Sequence, residues 1–172
     1  KAEESIRKLS LAVEQSAAPV MITDNKGKIE YVHPKFTKIT GYTRDEAIGK
    51  NPNMVSSSET PPEVYKELWE TITSGSEWKG EFCNRKKSGG LYWESASISP
   101  VKDDKGNITN FIAVKDDIGK QKNYEIRIRG INDLNKALIG YRSIEEKLRL
   151  ITDGIVRLFG ADFTRIWIVK NG

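Results

Sequence analysis

Apolar residues follow two rhythms along this chain. Ile6, Leu9 and Val13, with Leu11 and Ala12 beside them, recur every three to four residues. That spacing predicts a short amphipathic helix over residues 1–16, ended by Pro19. Val20-Met21-Ile22-Thr23 is a short apolar strand, Asp24-Asn25-Lys26-Gly27 has the residues of a turn, and Ile29-Glu30-Tyr31-Val32 reads as the return strand of a hairpin. Pro34 then introduces Phe36, Ile39 and Tyr42, a short helical face closed by Gly41. Thr43 with Glu46 three residues later has capping-box spacing, and that second short helix ends at Gly49. Residues 50–62, rich in Asn, Ser and Pro, predict a loop with at most one helical turn. Pro61-Pro62-Glu63 opens a firmer helix carrying Val64, Leu68 and Ile72, with Tyr65 and Trp69 alongside, and Ser74-Gly75 stops it.

The rhythm then changes to period two. Trp78 to Lys87, Leu91 to Val101 and Ile108 to Ile118 are predicted strands, separated by turns at Ser88-Gly89-Gly90 and Asp103 to Asn107. In the second, Leu91, Trp93, Ser95 and Ser97 alternate with Tyr92, Glu94, Ala96 and Ile98. The order β-β-α-α-α-β-β-β predicts an α+β fold, one antiparallel sheet with its helices on one side. From Gly119 the pattern is helical again. Tyr124, Ile128, Ile131, Asn135 and Leu138 fall on alternating four- and three-residue steps, a heptad seam with one polar interruption. Gly130 weakens that helix by about 1 kcal/mol relative to Ala. Ser143 with Glu146 predicts another capping box, opening a helix with Leu148, Ile151, Ile155 and Leu158 on one face. Gly160 ends it, and Phe163 to Val169 reads as a last strand.

Composition narrows the function. At 172 residues the chain has room for one domain and an appendage. Its 37% hydrophobic and 30% charged residues suit a globular protein with a modest core. No apolar run approaches the length of a membrane span, and no signal peptide is visible. The chain begins at Lys1 and stops at Asn171-Gly172 directly after an apolar run, so it reads as a piece of a longer protein. Single Cys and His residues, Cys83 and His33, exclude a disulfide framework and leave a zinc site or a Cys/His catalytic pair without support. The net charge of +4 is spread along the chain, which argues against a nucleic-acid partner.

Five segments in order carry a resemblance: Ile29 to Phe36, Ile39-Thr40-Gly41-Tyr42, Ile48-Gly49-Lys50-Asn51-Pro52, Trp78 to Lys87, and Leu91-Tyr92-Trp93. Through them residues 5–118 resemble a PAS domain, a sensory module of signalling proteins. The resemblance implies a five-stranded antiparallel sheet with helices on one side, enclosing a pocket, and a C-terminal helical linker that transmits its state. Where the family carries Asp-Ile-Thr, this chain has Asp117-Ile118-Gly119, which removes the hydroxyl behind the usual bond between exit helix and sheet. The tail is similar to the start of a GAF domain. The expected organisation is a flanking helix over 1–18, the PAS sensory domain over 19–118, a helical linker over 119–142 and a truncated GAF-like start over 143–172.

The resemblance also implies what the site could be. Members of the family hold haem, flavin, small acids or nothing. Haem-binding members place their iron ligand on the long helix, here near Tyr65–Ile72, where there is no His; His33 is therefore expected to be a surface or capping residue. Light-sensing members need a Cys directly after Gly-x-Asn, and Gly49-Lys50-Asn51 is followed by Pro52, which removes photoadduct chemistry and leaves Cys83 a small semi-buried side chain. Trp69, Asn84 and Trp93 are the candidate pocket residues. A flavin ring wants a flat apolar slot and an amide that donates to O4 and accepts from N3, which Trp69 and Asn84 could supply. The alternative is that the tryptophans fill the core. Tyr124, Ile128, Ile131 and Leu138 are the expected signalling and dimer seam. Neither a Gly-rich ATP loop nor a phospho-accepting His region is visible, so this piece is expected to have no catalysis of its own. The expected whole is a cytoplasmic homodimeric sensor, a histidine kinase of a two-component phosphorelay. Its rivals are a flavin-binding redox sensor and a ligand-free protein-interaction module.

Overall fold

The computed structural model describes residues 2–16, 18–140 and 143–166. The chain divides after Gly119 into two compact units. In the first, helix α1 (Ala2–Glu14) precedes the hairpin β1 (Val20–Asp24) and β2 (Ile29–Val32). Short helices α2 (Pro34–Thr40) and α3 (Arg44–Ala47), a 3₁₀ turn at Pro52–Val55 and helix α4 (Pro62–Thr73) follow. Strands β3 (Trp78–Arg85), β4 (Leu91–Lys102) and β5 (Ile108–Asp117) complete a five-stranded antiparallel sheet of order β2-β1-β5-β4-β3.

Local chemistry sets these boundaries. Asp24 Oδ1 accepts from the backbone N–H groups of Lys28 and Lys26, at 2.7 and 2.9 Å, and so closes the first hairpin. Asp103 closes the β4–β5 turn in the same way through Asn107 and Lys105. Donation from Lys28 and Asn107 holds both carboxyls below the usual carboxylate range. Thr43 and Glu46 form the complete capping box at α3.

His33 is buried rather than superficial. Its Nδ1 accepts from the Lys35 N–H at 3.0 Å and caps α2, so Nε2 carries the proton. Nε2 lies 3.0 Å from the Glu14 carbonyl, one of the orphan acceptors at the end of α1, and donates to it. A single ring thus caps one helix and fastens another. His33→Asn keeps a capping acceptor and loses the reach to Glu14. It is expected to lower stability by about 1–2 kcal/mol and to speed amide exchange selectively over residues 2–14; uniform exchange rates would refute the fastening.

Alternation sends Met21, Phe82, Ala96, Phe111 and Ala113 to the inner face of the sheet, where they are buried. One core cluster joins Met21, Ile29, Val32, Phe36, Ala47 and Val55; a second joins Leu68, Ile72, Trp78, Phe82, Ala96 and Phe111. Each edge strand is covered at one point along its outer side. Along β2, Ile29 N–H donates to Lys50 O and Gly49 N–H donates to Ile29 O, each at 2.8 Å. Along β3, Thr60 Oγ1 accepts from Cys83 N–H at 2.8 Å and donates to Cys83 O at 3.2 Å, with the Ser57 hydroxyl on the same carbonyl.

The second unit holds α5 (Gly119–Gly140), whose first residue still belongs to unit one, and α6 (Ile144–Phe159). These helices approach closely at two glycines. A Cβ on Gly130 would lie 2.1 Å from Leu158 Cδ2, and one on Gly154 would lie 2.9 Å from Leu134 Cδ2. Arg127 stands 5.8 Å over the Phe159 ring. Ser143 Oγ accepts from Glu146 N–H, which is one half of the predicted capping box. The strand expected over Phe163–Val169 is not formed across 163–166, which are irregular; Trp167, Ile168 and Val169 lie outside the described residues. Among the described residues this unit contains no strand that could pair with it.

Candidate functional site

A cavity of about 380 Å³ lies between the inner face of the sheet and α4, within the range of small-molecule sites. Tyr65, Leu68, Trp69 and Ile72 line it from α4; Phe82, Ile98, Phe111 and Ala113 line it from the sheet. The rings make flat walls. Tyr65 stacks on Phe82 with centroids 5.6 Å apart, and Trp69 meets Phe111 edge-on at 6.0 Å. At the mouth, Gly27 has φ +78°, and a Cβ there would come within 2.8 Å of Trp69 and 3.1 Å of the Asn51 amide. Only glycine suits that turn and lets the indole lie against it.

The deep end is polar. Phe82 pairs with Glu94 and Ala96 with Lys115, so Asn84, Glu94 and Lys115 step diagonally across β3, β4 and β5. Asn84 Nδ2 donates to Glu94 Oε1 at 2.9 Å, and the Lys115 ammonium pairs with the same oxygen. The side chains of Glu94 and Lys115 are only 8% and 11% exposed, so this ion pair is desolvated. Burial pushes the Tyr92 hydroxyl pKa well up, and the Glu94 charge adds to it, with the Asn84 amide alongside. The Tyr65 hydroxyl is buried near the Thr60 side chain without a well-formed hydrogen bond among the described residues, and burial raises its pKa too.

The row runs toward the exit helix. Asp117 is the direct cross-strand partner of Glu94. Its Oδ1 accepts from Gly119 N–H at 2.8 Å, and Ile118 N–H donates to Trp93 O at 3.1 Å. Those two bonds hold the junction where the family threonine is missing.

Of the residues singled out from the sequence, Trp69 and Asn84 line the cavity and Trp93 does not. Period two puts Trp93 with Leu91 and Ser95, opposite the inward Tyr92, Glu94 and Ala96. Glu94 and Lys115 were missed, although Glu94 shares the register of Tyr92, Ala96 and Ile98, where a charged residue is a signal in itself. On α5, Tyr124, Ile128 and Ile131 are exposed. Leu138 is half-buried and shares the helix face of Leu134, which meets α6. Asn51 and Pro52 both line the cavity, whereas Cys83 is buried outside its lining, its thiol pKa raised by burial. His33 also lies outside the lining, with both ring nitrogens engaged.

An isoalloxazine suits these walls. Its pyrimidine edge offers a carbonyl on each side of one N–H. Asn84 gives one N–H to Glu94 and keeps a second, so a flavin C4 carbonyl that accepted it would stand next to the Glu94 carboxylate.

The family model described as PAS domain matches residues 17–120, more than half of the chain. The chain belongs to the PAS domain family. A nitrogen fixation regulatory protein of Klebsiella oxytoca is 31% identical over 156 residues, covering 87% of this chain and 32% of the relative. A blue-light-activated histidine kinase of Rhizobium johnstonii is 29% identical over 159 residues, covering 89% of this chain and 44% of the relative. This PAS domain chain therefore spans about a third of the first relative and under half of the second. A light-oxygen-voltage domain solved in work on a flavin analogue superposes with a TM-score of 0.62 at 22% identity, covering 73% of this chain and 96% of that one, a likeness of fold. The PAS domain is a sensory module, and its homologues include regulators and histidine kinases. Among the described residues no helix is long and apolar enough to cross a membrane.

Proposed function

We propose that this chain is the sensing and pairing module of a multidomain cytoplasmic sensor histidine kinase in a phosphorelay. It reads a small molecule in the cavity and passes the result to α5. The observation that carries this reading is the position of Lys115: it closes the polar end of the cavity and stands on the strand that continues directly into α5. Occupancy of the cavity biases the Glu94–Lys115 pair, and with it the end of β5, between two arrangements. The kinase and regulator relatives support the reading, and residues 143–172 then open a following GAF domain.

Pairing with a second copy runs along the exposed side of α5, through Tyr124, Ile128 and Ile131, with Asn135 as the polar position that fixes register. Leu138 contributes from its flank. Ile128→Asp is expected to weaken self-association at least about tenfold; sedimentation equilibrium giving an unchanged dimer constant would remove this seam. The visible spectrum of freshly purified protein tests the sensory reading. Peaks near about 450 nm would replace it with a flavin redox sensor, and a strong band near about 400 nm would restore haem.

A further inference from the structure

The deep end of the cavity holds one ionised acceptor, Glu94. Glu94 receives both Asn84 and Lys115 on Oε1, and Oε2 takes part in neither bond. A carboxylate only accepts, so Asn84 turns its nitrogen toward Glu94 and its Oδ1 away. Asp117 lies directly across from Glu94, and Asp116 and Asp117 border the same small hollow as Glu94 and Lys115. A ligand that enters with N–H donors in front meets that ionised acceptor, Glu94, in a desolvated site.

We propose that the cavity takes a flat heteroaromatic ligand leading with paired N–H donors, a cyclic amidine or 2-amino nitrogen heterocycle, seated on Glu94 Oε2 and Asn84 Oδ1. The proposal rests on the cavity being the sensory site. The ring lies between the Phe82 and Phe111 walls. Lys115 is a positioning residue: by holding Oε1 it aims Oε2. Hydrogen bonds to an ionised acceptor are about twice as strong as neutral ones, and the dry walls strengthen them further.

Isothermal titration of the full 172-residue chain with 2-aminobenzimidazole, benzoate and riboflavin tests this. Saturable binding of 2-aminobenzimidazole is expected, tighter than that of benzoate or riboflavin. The double variant E94Q/K115M removes both charges together and leaves no lone buried ion. It is expected to bind 2-aminobenzimidazole at least about tenfold more weakly while keeping its circular dichroism spectrum. Benzoate or riboflavin binding in preference to 2-aminobenzimidazole would overturn the ligand class and leave the cavity as the sensory site. Undiminished binding by the folded double variant would overturn the seat on Glu94. Failure of all three probes to bind the folded wild-type chain would overturn the ligand class and the sensory reading together.

Discussion

Lys115→Met is expected to destabilise the protein by about 3–5 kcal/mol, the usual cost of stranding one member of a buried ion pair. Its partner Glu94 is 8% exposed, and without Lys115 it retains only the Asn84 amide. Neutralising both residues, as in E94Q/K115M, is expected to bring stability back to within about 1 kcal/mol of wild type, because no charge is then left in a low dielectric. Urea unfolding of the single and double variants measures both. If Lys115→Met cost less than about 1 kcal/mol, the pair would be solvated, and the desolvated end of the cavity with it.

Gly27→Ala is the second large effect. A left-handed backbone costs an L-residue about 1–2 kcal/mol. The new Cβ must also displace Trp69, with a total expectation of about 2–3 kcal/mol. Because the indole is itself 38% exposed, it moves outward rather than inward, and Trp69 emission shifts to the red. Fluorescence difference spectra against Trp69→Phe isolate that residue. Unchanged emission together with unchanged stability would show that the turn does not hold the ring.

Much of this architecture is legible along the chain, because punctuation and period agree. The turn at Asp24 to Gly27, the Thr43 capping box and Pro62 in the first turn of α4 all stand where side-chain chemistry places them. What the sequence hides is distance across the fold. Trp93 and Asn84 are both prominent near the pocket segments, yet only strand parity separates the wall of the cavity from the other side of the sheet. Read alone, Lys115 is one lysine among many in a basic chain, and nothing local says that it meets a glutamate from the neighbouring strand. Gly130 reads as a weak point in a helix, but its missing side chain is what admits Leu158. His33 was legible as a cap; its second bond, to a carbonyl nineteen residues earlier, was not.

The partly covered flanks of the sheet limit how these molecules can gather. At one flank the backbone around Ile29 is taken by residues 49–50. At the other, a threonine and a serine occupy Cys83, and the charged Lys79 and Glu81 follow. A neighbour therefore finds each edge ladder interrupted. Growth of a continuous sheet by strand addition is thereby disfavoured.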